Sequence, residues 1–470
     1  MSDYNIILDT DSYKASHWLQ YPPETTSMFS YIESRGGLYD KTVFFGLQYF
    51  IKRYLTQRIT VADVEKAKEF YAGHGVPFNY EGWMYIAAQL AGKLPAKIRA
   101  VLEGSVIPTK NILVSIESTD PKVFWVASWL ETMLVRIWHP INVATVSWEC
   151  KKVIRAFLDE TAEKPEEEIA FKLHDFGSRG VSSQESAAIG GAAHLVNFMG
   201  SDTVVGVNMA NKFYHTKMAG FSIPATEHST ITSWGRDREC DAYRNLIDKY
   251  AKPGSLVACV SDSYDIYNAI DKMWGGELKQ KVIDSGATIV IRPDSGVPSK
   301  VVLECLKMLD EKFGSVVNNK GFKVINNVRV IQGDGINIDS IKEICSTVKE
   351  AGYSLTNVAF GMGGALLQQH NRDTQKFAMK CSSVEVAGKE VDVYKDPIDD
   401  PGKSSKRGRL DLVCSFSEPP YRHVYETVRI PPGLQEHPCS VMHTVFLNGE
   451  SMNETTFDDI RQRMSQPLNT

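Results

Sequence analysis

Cysteines are few and isolated in this chain, and none has the spacing of a metal knuckle or a redox motif. Eight cysteines are spread over 470 residues without a Cys-x-x-Cys pair. This pattern indicates free thiols in a reducing compartment and argues against a disulfide framework. The metalloprotease signature His-Glu-x-x-His is also missing, which argues against a zinc site. We therefore expect a cytoplasmic protein.

Long apolar runs and an excess of basic charge are missing as well. The most apolar helical stretch, residues 123–138, includes Glu131 and Arg136 and is too short to span a bilayer. The first nine residues have neither a basic region nor a sufficient apolar run, so we expect no signal peptide. The net charge of −5 argues against general binding to nucleic acid or to membranes.

The main feature of the sequence is a repeated alternation of strand-like and helical patterns. The length predicts two domains or one large elaborated domain. About seven repeated βα units predict a parallel sheet and favour an irregular (β/α) barrel over an open doubly wound sheet, which stays the alternative. The predicted strands lie near residues 168–173, 202–207, 221–225, 256–261, 287–291, 327–332 and 357–361.

The two ends of the chain lack this repeated alternation of strand and helix. Residues 28–33 alternate like a strand and residues 61–72 have helical spacing. Toward the C-terminus, residues 384–394 predict a hairpin that turns at Gly388, followed by a basic loop with turn residues over 395–409, whose charge run at 406–409 is expected to be a solvated face. We predict three segments: a mixed α/β domain (1–160), a catalytic (β/α) barrel (161–380) and a β-rich segment that returns to the first domain (381–470).

Polar side chains follow each predicted strand at its carboxyl end, where barrels build their active sites. The stretch from Ala287 to Gly296 is an example, because a buried strand pattern delivers Arg292 and Asp294 to the sheet edge. A structural ion pair would explain this pair alone, but not its recurrence. The other strand ends carry residues 174–180, Asp202, Glu227 with His228, residues 261–265, 333–335 and 361–364. We therefore predict an active site at this edge.

Several of these strand ends suit phosphate and ribose. The glycine-rich turn at 361–364 precedes a helix, so its N–H groups would approach a phosphate, although a tight turn without a ligand is the alternative. Asp334 lies between two glycines and suits ribose hydroxyls or a Mg²⁺-bound phosphate. His228 is a candidate base, metal ligand, phosphate acceptor or helix cap. A polyanionic substrate would need further cations from other parts of the chain or from another subunit.

Long strings of this sequence resemble the nicotinamide phosphoribosyltransferase family of type II phosphoribosyltransferases. They include Asp11-Ser-Tyr-Lys14, Lys172-Leu-His-Asp-Phe-Gly-Ser-Arg-Gly180, Glu227-His-Ser-Thr-Ile231, Val260-Ser-Asp-Ser-Tyr-Asp265, Ile291-Arg-Pro-Asp-Ser-Gly296 and Val330-Ile-Gln-Gly-Asp-Gly335. The resemblance implies NAD salvage: nicotinamide and phosphoribosyl pyrophosphate give nicotinamide mononucleotide and pyrophosphate, with Mg²⁺. It also implies a homodimer with shared active sites.

The resemblance further implies roles for individual residues. Phe176 and the partner subunit's Tyr13 would sandwich the pyridine ring, and Asp202 would accept hydrogen bonds from the carboxamide. The other substrate-binding residues would be Ser261, Arg292, Asp294 and Asp334 at the ribose and ring, with Gly333, Gly363, Gly364 and Arg372 at the 5′-phosphate. The pyrophosphate would face Arg35, Arg179, Lys380, Lys395 and Lys403.

His228 matches a histidine that family members phosphorylate with ATP, so ATP is expected as an optional co-substrate. Glu227, Asp265 and Asp294 would orient its ring. No metal ligands are predicted, because the substrate phosphates and water would mainly hold Mg²⁺. The chain departs from the family pattern in the turn Gly361-Met-Gly-Gly-Ala365, where family members read Gly-Ser-Gly-Gly-Gly, so the detail of this phosphate loop stays open.

Asp202 predicts the choice of base. A carboxylate accepts an amide N–H₂ but repels the carboxylate of nicotinate, at a cost of several kcal/mol. We therefore expect nicotinamide to be preferred. The alternatives are a nicotinate phosphoribosyltransferase of the same fold, a non-catalytic binding protein on this scaffold, and a phosphate-binding barrel lyase or isomerase.

Overall fold

The structure is a computed structural model that describes residues 4–399, 404–418 and 423–465. Its strands are Thr25–Ser34 (β1), Lys41–Val43 (β2), Ala96–Ala100 (β3), Val106–Pro108 (β4), Ile112–Ser118 (β5), Leu173–Asp175 (β6), Gly200–Ser201 (β7), Leu256–Val260 (β8), Thr288–Arg292 (β9), Ser315–Val317 (β10), Lys323–Ile325 (β11), Val328–Gln332 (β12), Val358–Met362 (β13), Phe377–Val386 (β14), Lys389–Asp392 (β15), Leu410–Phe416 (β16), His423–Arg429 (β17), His443–Leu447 (β18) and Glu450–Ser451 (β19).

Its α-helices are Leu47–Phe50 (α1), Val61–His74 (α2), Tyr80–Gln89 (α3), Val126–Trp129 (α4), Glu131–Val135 (α5), Trp138–Thr161 (α6), Pro165–Glu168 (α7), Gln184–His194 (α8), Val204–Phe213 (α9), His228–Thr232 (α10), Glu239–Tyr250 (α11), Ile266–Asn268 (α12), Lys279–Ser285 (α13), Pro298–Phe313 (α14), Ile338–Glu350 (α15), Gly364–Leu367 (α16) and Phe457–Met464 (α17). π-Helical turns extend α1 over Ile51–Leu55 and α12 over Ala269–Glu277. A longer 3₁₀ helix lies at Ser12–Leu19, and single 3₁₀ turns lie at Ile6–Leu8, Pro121–Val123, Ile169–Phe171, Ser178–Gly180, Arg236–Arg238, Leu355–Asn357 and Arg372–Thr374.

The chain divides into two compact units. Unit one comprises the described residues within 1–145, 212–216 and 370–470, and unit two comprises residues 146–211 and 217–369. The first limit falls inside α6, whose helical hydrogen bonding continues to Thr161. The domain limits expected at residues 160 and 380 stay predictions.

Unit one is built on an antiparallel sheet with the strand order β15-β14-β1-β5-β3-β18-β19. The central strand β1 is mostly buried and pairs with β14 on one side and with β5 on the other. The hairpin between β14 and β15 turns at Ala387 and Gly388, which both have positive φ angles, of 51° and 76°. Two left-handed residues match the twist of a tight hairpin. The predicted hairpin is therefore confirmed.

Unit two is built on a curled parallel sheet with the strand order β7-β6-β13-β12-β9-β8. Residues 221–225 run between its two edges, because Phe221 bridges Gly200 and Ala225 bridges Ala258, both in parallel. Inside the curl, buried side chains pack together from neighbouring strands: Ala258, Val290 and Ile331, with Phe176, Ile223 and Ala359 against them. The predicted α/β fold with an irregular (β/α) barrel is confirmed, in the form of a curled parallel half-barrel.

Three of the predicted strands differ from the structure, and one of them, at residues 221–225, makes only two isolated bridges instead of a continuous strand. Residues 204–213 form α9, not a strand, although their Val-Val-Gly-Val run has β-branched residues that favour strands. Tertiary packing decides this segment, since Gly206 lies against Gly191 of α8 so closely that an added Cβ would be 2.8 Å from the Gly191 Cα. The residues predicted as a strand at 168–173 are helical up to Phe171, and β6 begins only at Leu173.

The structure also describes the cysteines and the helices to which two of the general expectations refer. All eight cysteines lie in the described part of the chain, and all are free thiols. Among the described residues, no helix combines the length and the apolar character that crossing a bilayer requires.

Candidate active site

The carboxyl ends of the unit-two strands carry most of the predicted site residues. The parallel pairing of β7, β6, β13, β12, β9 and β8 brings these ends to one edge of the sheet. The edge carries Phe176 and Arg179 after β6, Asp202 after β7, Ser261 and Asp265 after β8, Arg292 and Asp294 at β9, Gly333 and Asp334 after β12, and Gly363 and Gly364 after β13. Glu227 and His228 follow the bridging segment 221–225.

Phe176 lies across the ends of two neighbouring strands. Its backbone N–H donates to the Met362 carbonyl at 3.0 Å, which ties the start of its loop to β13. Its ring covers Gly361, where an added Cβ would lie 2.0 Å from the ring, and it also approaches Gly333. The side chain is half-buried. A fixed, partly exposed aromatic face is suited to stacking on a planar ligand ring.

Asp202 is oriented by two hydrogen bonds. Its backbone N–H donates to the Asp175 carbonyl at 2.9 Å, and the Ser222 hydroxyl donates to Asp202 Oδ1 at 2.5 Å. Ser222 belongs to the bridging segment, so closure of the sheet positions this exposed carboxylate. The sequence did not single out Ser222, because it is brought to Asp202 only by the pairing of Phe221 with Gly200.

Asp175 lies directly beneath this edge and is fully buried. Its Oδ1 accepts the Gly177 N–H at 2.7 Å, whereas Oδ2 is buried without a hydrogen bond from the described residues. Burial raises the pKa of this carboxyl to about 6. Asp175 therefore contacts both neighbouring loops: its carboxylate binds the loop after β6 through Gly177, and its carbonyl binds the loop after β7 through Asp202.

Arg292 and Asp294 do not form a closed structural ion pair. The Arg292 Nη2 and Asp294 Oδ2 atoms are 3.8 Å apart, which is longer than a hydrogen bond. Arg292 Nε is buried and has no hydrogen-bond partner among the described residues. A buried donor without a partner is unfavourable, so these donors are suited to a bound ligand.

His228 is the first residue of α10 and has a carboxylate on each side. Its Nε2 lies 3.0 Å from Asp262 Oδ1, and its Nδ1 lies 3.9 Å from Asp294 Oδ2. Because a carboxylate can only accept, the contact with Asp262 places the proton on Nε2 and leaves the lone pair on Nδ1. Thr226 holds the segment before α10, since its hydroxyl accepts the Val260 N–H at 2.8 Å.

The sequence did not predict a role for Asp262, although this residue lies within the strand end 261–265. Its neighbours have other contacts in the structure. Asp265 caps α12 by accepting the N–H groups of Tyr267 and Asn268, each at 3.0 Å. Glu227 accepts a hydrogen bond from Ser229 Oγ. The orienting roles of Glu227 and Asp265 stay predictions.

Ser261 and the glycine turns differ in how accessible they are. Ser261 is fully buried, and its hydroxyl donates to the Cys259 carbonyl and accepts from Trp274 Nε1, each at 3.1 Å. In contrast, an added Cβ on Gly364 would meet no described atom within 4 Å. The turn that carries Arg179 lies beside this opening, because a Cβ on Gly180 would be 3.7 Å from Gly364.

Asp334 and the backbone N–H groups beside it form the remaining part of the edge. Its side chain is exposed, and its carbonyl accepts a hydrogen bond from Gln332 Nε2 at 2.9 Å. Gln332 is fully buried, so it fixes the turn at 333–335 from below. The carboxylate is thereby held at the surface, where a polar ligand has access to it.

The other predicted site residues belong to unit one. Tyr13 is 59% exposed, Lys395 is exposed, and Arg372 lies 3.6 Å from Asp373 at the start of a 3₁₀ turn. Lys403 lies outside the described residues. The roles of Tyr13 at the pyridine ring and of Lys395, Arg372 and Lys403 at the phosphates stay predictions.

Two of the predicted cations in unit one share a buried carboxylate. Burial raises the pKa of Glu33, and Lys406, Arg35 and Lys380 oppose that rise by their positive charges. Lys406 Nζ is in direct contact with Glu33. The view of the 406–409 run as a solvated face is therefore wrong, since Arg409 also pairs with Glu117 at 2.9 Å.

No metal site is preformed in the described part of the chain. Three or more His, Cys, Asp and Glu side chains do not come together there in a way that would hold a metal ion.

Two comparisons with known proteins, one with family models and one with curated relatives, agree on the family. Residues 171–450 match the model of the nicotinate phosphoribosyltransferase (NAPRTase) family, and residues 5–98 match that of the nicotinamide phosphoribosyltransferase N-terminal domain. The chain is 57% identical to a nicotinamide phosphoribosyltransferase from Xanthomonas campestris pv. campestris (strain 8004), with 97% of each chain covered. It is 30% identical to a nicotinamide phosphoribosyltransferase from Acinetobacter baylyi, with coverage of 97% and 96%.

The fold has a counterpart among solved structures. A nicotinate-nucleotide pyrophosphorylase from Pyrococcus furiosus matches with a TM-score of 0.61 at 16% identity, over 99% of this chain and 96% of that chain. At this identity the likeness concerns the fold alone. With the matching family model and the relatives of high identity, it leads to one conclusion: this chain belongs to the nicotinate phosphoribosyltransferase (NAPRTase) family.

Proposed function

We propose that this chain acts in NAD salvage as a nicotinamide phosphoribosyltransferase, a pentosyltransferase that acts on small molecules. It joins nicotinamide to phosphoribosyl pyrophosphate and releases nicotinamide mononucleotide and pyrophosphate. The observation that carries the proposal is the sheet edge, where an aromatic ring (Phe176), a carboxylate (Asp202) and a guanidinium (Arg292) follow strands of one parallel sheet. The names of both curated relatives support it.

The base would bind between the aromatic ring and the carboxylate. Phe176 offers a face for stacking, and the partner subunit's Tyr13 would cover the opposite face of the pyridine. Asp202, held by Ser222, would accept the carboxamide N–H₂. With the base fixed in this way, its ring nitrogen is directed at the anomeric carbon of the second substrate.

The ribose and phosphates would bind along the remaining strand ends. As the bond to pyrophosphate breaks, positive charge develops on the ribose and negative charge on the leaving group. Asp294 and Asp334 suit the ribose side, and the open turn at Gly363 and Gly364 suits the 5′-phosphate. Arg179, Arg35, Lys380, Lys395, Lys403 and Arg372 are the cations that would face the phosphates.

Mg²⁺ is part of this proposal as the partner of the pyrophosphate. Hard oxygen donors of the substrate and water suit this ion, and exposed carboxylates such as Asp334 would complete its shell. When bound, the ion neutralises charge on the leaving group. The residues of the chain then orient the pyrophosphate and keep the base in line with the anomeric carbon.

ATP is proposed as an optional co-substrate that phosphorylates His228. The contact of Nε2 with Asp262 supports this role, because it leaves the lone pair of Nδ1 available as a nucleophile. In that step Nδ1 would bond to the terminal phosphorus and ADP would leave. Hydrolysis of the phosphohistidine would accompany synthesis.

A homodimer with shared active sites in the cytoplasm completes the proposal. The exposed ring of Tyr13 and the exposed guanidinium of Arg372 in unit one support a second subunit, since both belong to the predicted substrate set. The free thiols support a reducing compartment.

The decisive experiment compares nicotinamide with nicotinate as substrates of the wild type and of Asp202→Ala. Product analysis with phosphoribosyl pyrophosphate and Mg²⁺ should show a kcat/KM for nicotinamide at least about 100-fold above that for nicotinate, which corresponds to the cost of facing two carboxylates. Asp202→Ala should lower kcat/KM for nicotinamide by about tenfold or more and narrow the ratio.

The matched control is Asp284→Ala, which removes an exposed carboxylate from α13, before β9 and away from the strand ends. It should leave both rates unchanged. A wild type that uses both bases equally well would favour a nicotinate enzyme. Absence of pyrophosphate release with either base would instead favour a binding protein.

A further inference from the structure

We propose that Asp262 is a positioning residue that couples His228 to the loop carrying Asp294. The two oxygens of its carboxylate are divided between these two partners. Oδ1 lies 3.0 Å from His228 Nε2, while Oδ2 accepts the Asp294 N–H at 3.0 Å and the Ser295 hydroxyl at 2.6 Å. One carboxylate thus holds the start of α10 and the loop after β9 in a single arrangement. This inference rests on the proposed function.

The environment of Asp262 suits a fixed, ionised carboxylate. Its side chain is only 6% exposed, whereas that of His228 is 45% exposed. Burial by itself raises the pKa of Asp262, but the hydrogen bonds from Ser295, His228 and the Asp294 backbone outweigh it and lower the pKa overall. A buried charge with three donors on two oxygens has little freedom to move.

The contacts of Asp262 also affect the loop after β9, which carries the proposed ribose-binding residue Asp294. β8 and β9 are neighbours, with Val260 opposite Arg292, so their following loops leave the sheet side by side. Because Asp262 fixes the backbone of Asp294, it also sets how far the Asp294 carboxylate lies from His228 Nδ1, at 3.9 Å, and from Arg292 Nη2, at 3.8 Å. A change at the ribose end of this loop is therefore transmitted to the histidine through Asp262.

The first test is Asp262→Asn. Asparagine has the same shape but only one acceptor oxygen, so it cannot accept hydrogen bonds from His228 Nε2 and from the loop at the same time. We expect ATP stimulation of turnover to fall by about tenfold and KM for phosphoribosyl pyrophosphate to rise by about tenfold, the loss expected for a hydrogen bond to a charged group. A purely structural role would lower the melting temperature without changing these two quantities together.

The matched variant is Ser295→Ala, which removes one donor of the loop and leaves the His228 contact intact. It should raise KM for phosphoribosyl pyrophosphate by about threefold, as for a single hydrogen bond, with ATP stimulation reduced to a similar extent. This variant also tests the coupling if Asp262→Asn fails to fold. Ser295→Ala with unchanged KM and unchanged ATP stimulation would overturn the proposal.

A readout that needs no turnover separates this inference from the proposed function. Long-range ¹H–¹⁵N spectra of the ¹⁵N-histidine-labelled protein, assigned by difference with His228→Asn, report which ring nitrogen carries the proton. The wild type should show the Nε2–H form, and Asp262→Asn should shift His228 toward Nδ1–H. A mixed or Nδ1–H form in the wild type would overturn the role of Asp262. Absence of nicotinamide mononucleotide from the wild type would instead reject the proposed function.

Discussion

Buried carboxylates act in two opposite ways at the scale of single residues. Asp262 has donors on both oxygens, and these lower its pKa in spite of burial. At Asp175, burial and the negative charge of the nearby Asp202 outweigh the hydrogen bond from Gly177 and raise the pKa to about 6. The balance between burial, neighbouring charge and hydrogen bonds therefore decides the direction of the pKa shift at each carboxyl. Asp262 is thereby a fixed charge, whereas Asp175 titrates in an accessible range.

Asp175 should make the stability of the protein depend on pH. The folded state keeps the proton up to a pH of about 6, whereas the ordinary pKa of an aspartate, as in the unfolded chain, is 3.8. Between these values the folded state binds more protons, so the free energy of unfolding falls as the pH rises, by about 3 kcal/mol at most. Asp175→Asn removes this loss. Its melting temperature relative to the wild type should therefore be higher at about pH 7.5 than at about pH 4.5.

The control for this experiment is Asp241, a carboxyl whose pKa is shifted in the opposite direction. Hydrogen bonds from Arg238 and Arg244 lower the pKa of Asp241, so its charged form stabilises the folded state above the unfolded pKa. This contribution is complete above a pH of 3.8, so Asp241→Asn should be less stable than the wild type by a constant amount between about pH 4.5 and 7.5, and should approach the wild type only at lower pH. A difference between Asp175→Asn and the wild type that stays flat across the range would contradict the buried-acid interpretation.

At the scale of elements, β13 and its following turn serve two parts of the site. Gly361 leaves room for the Phe176 ring, while Gly364 opens the start of α16. Neither glycine has a positive φ angle, so alanine is compatible with both backbones. Substitution at each position therefore tests space and not backbone strain.

Gly361→Ala and Gly364→Ala should affect different substrates. The new methyl group at 361 would displace the Phe176 ring, which it would meet at 2.0 Å, and should raise KM for nicotinamide. The methyl group at 364 meets no described atom within 4 Å but would occupy the proposed phosphate position, and should raise KM for phosphoribosyl pyrophosphate. About tenfold is expected in each case, from loss of stacking or of a charged hydrogen bond. Steady-state kinetics with each substrate varied would decide, and an equal effect on both constants would argue against separate subsites.

At the scale of the whole molecule, the predicted substrate-binding residues are divided between the two units. Unit two supplies the sheet edge, while Tyr13, Arg35, Arg372, Lys380 and Lys395 belong to unit one. The proposal that two subunits share each active site leads to one prediction that does not depend on the geometry of either unit. Two variants that damage opposite halves of the site should restore each other in a mixed dimer.

The prediction concerns Tyr13→Ala and Asp202→Ala, each of which is expected to retain about a tenth of wild-type activity or less by itself. If Tyr13 serves the site of its partner, a mixed dimer contains one site with both substitutions and one intact site. Random mixing by co-refolding should then restore about a quarter of wild-type activity, because half of the dimers are mixed and each has one intact site of two. No recovery, with mixed dimers verified by a tag, would show that Tyr13 acts within its own subunit.

The position of many site candidates at strand ends could be predicted because chemistry and local pattern coincide in single strings of sequence. Arg292 and Asp294 follow an apolar β-branched run, and that run is β9. Gly388 marked a hairpin and Gly363 a strand-to-helix turn, since few other residues adopt or allow those conformations. The same reasoning failed at 204–213, where a β-branched run became α9 because Gly206 allowed close contact with α8.

The sequence by itself determined the alternation of strands and helices and the polar character of each strand end. Both follow from local properties, namely the spacing of apolar residues and the conformational range of glycine. Only the tertiary structure decided which strand ends become neighbours. β6 pairs with β13, far away in the chain, and residues 221–225 bring Ser222 to Asp202. Asp262 gained its importance in the same way, because contacts between separate loops arise from strand order, which no local pattern specifies.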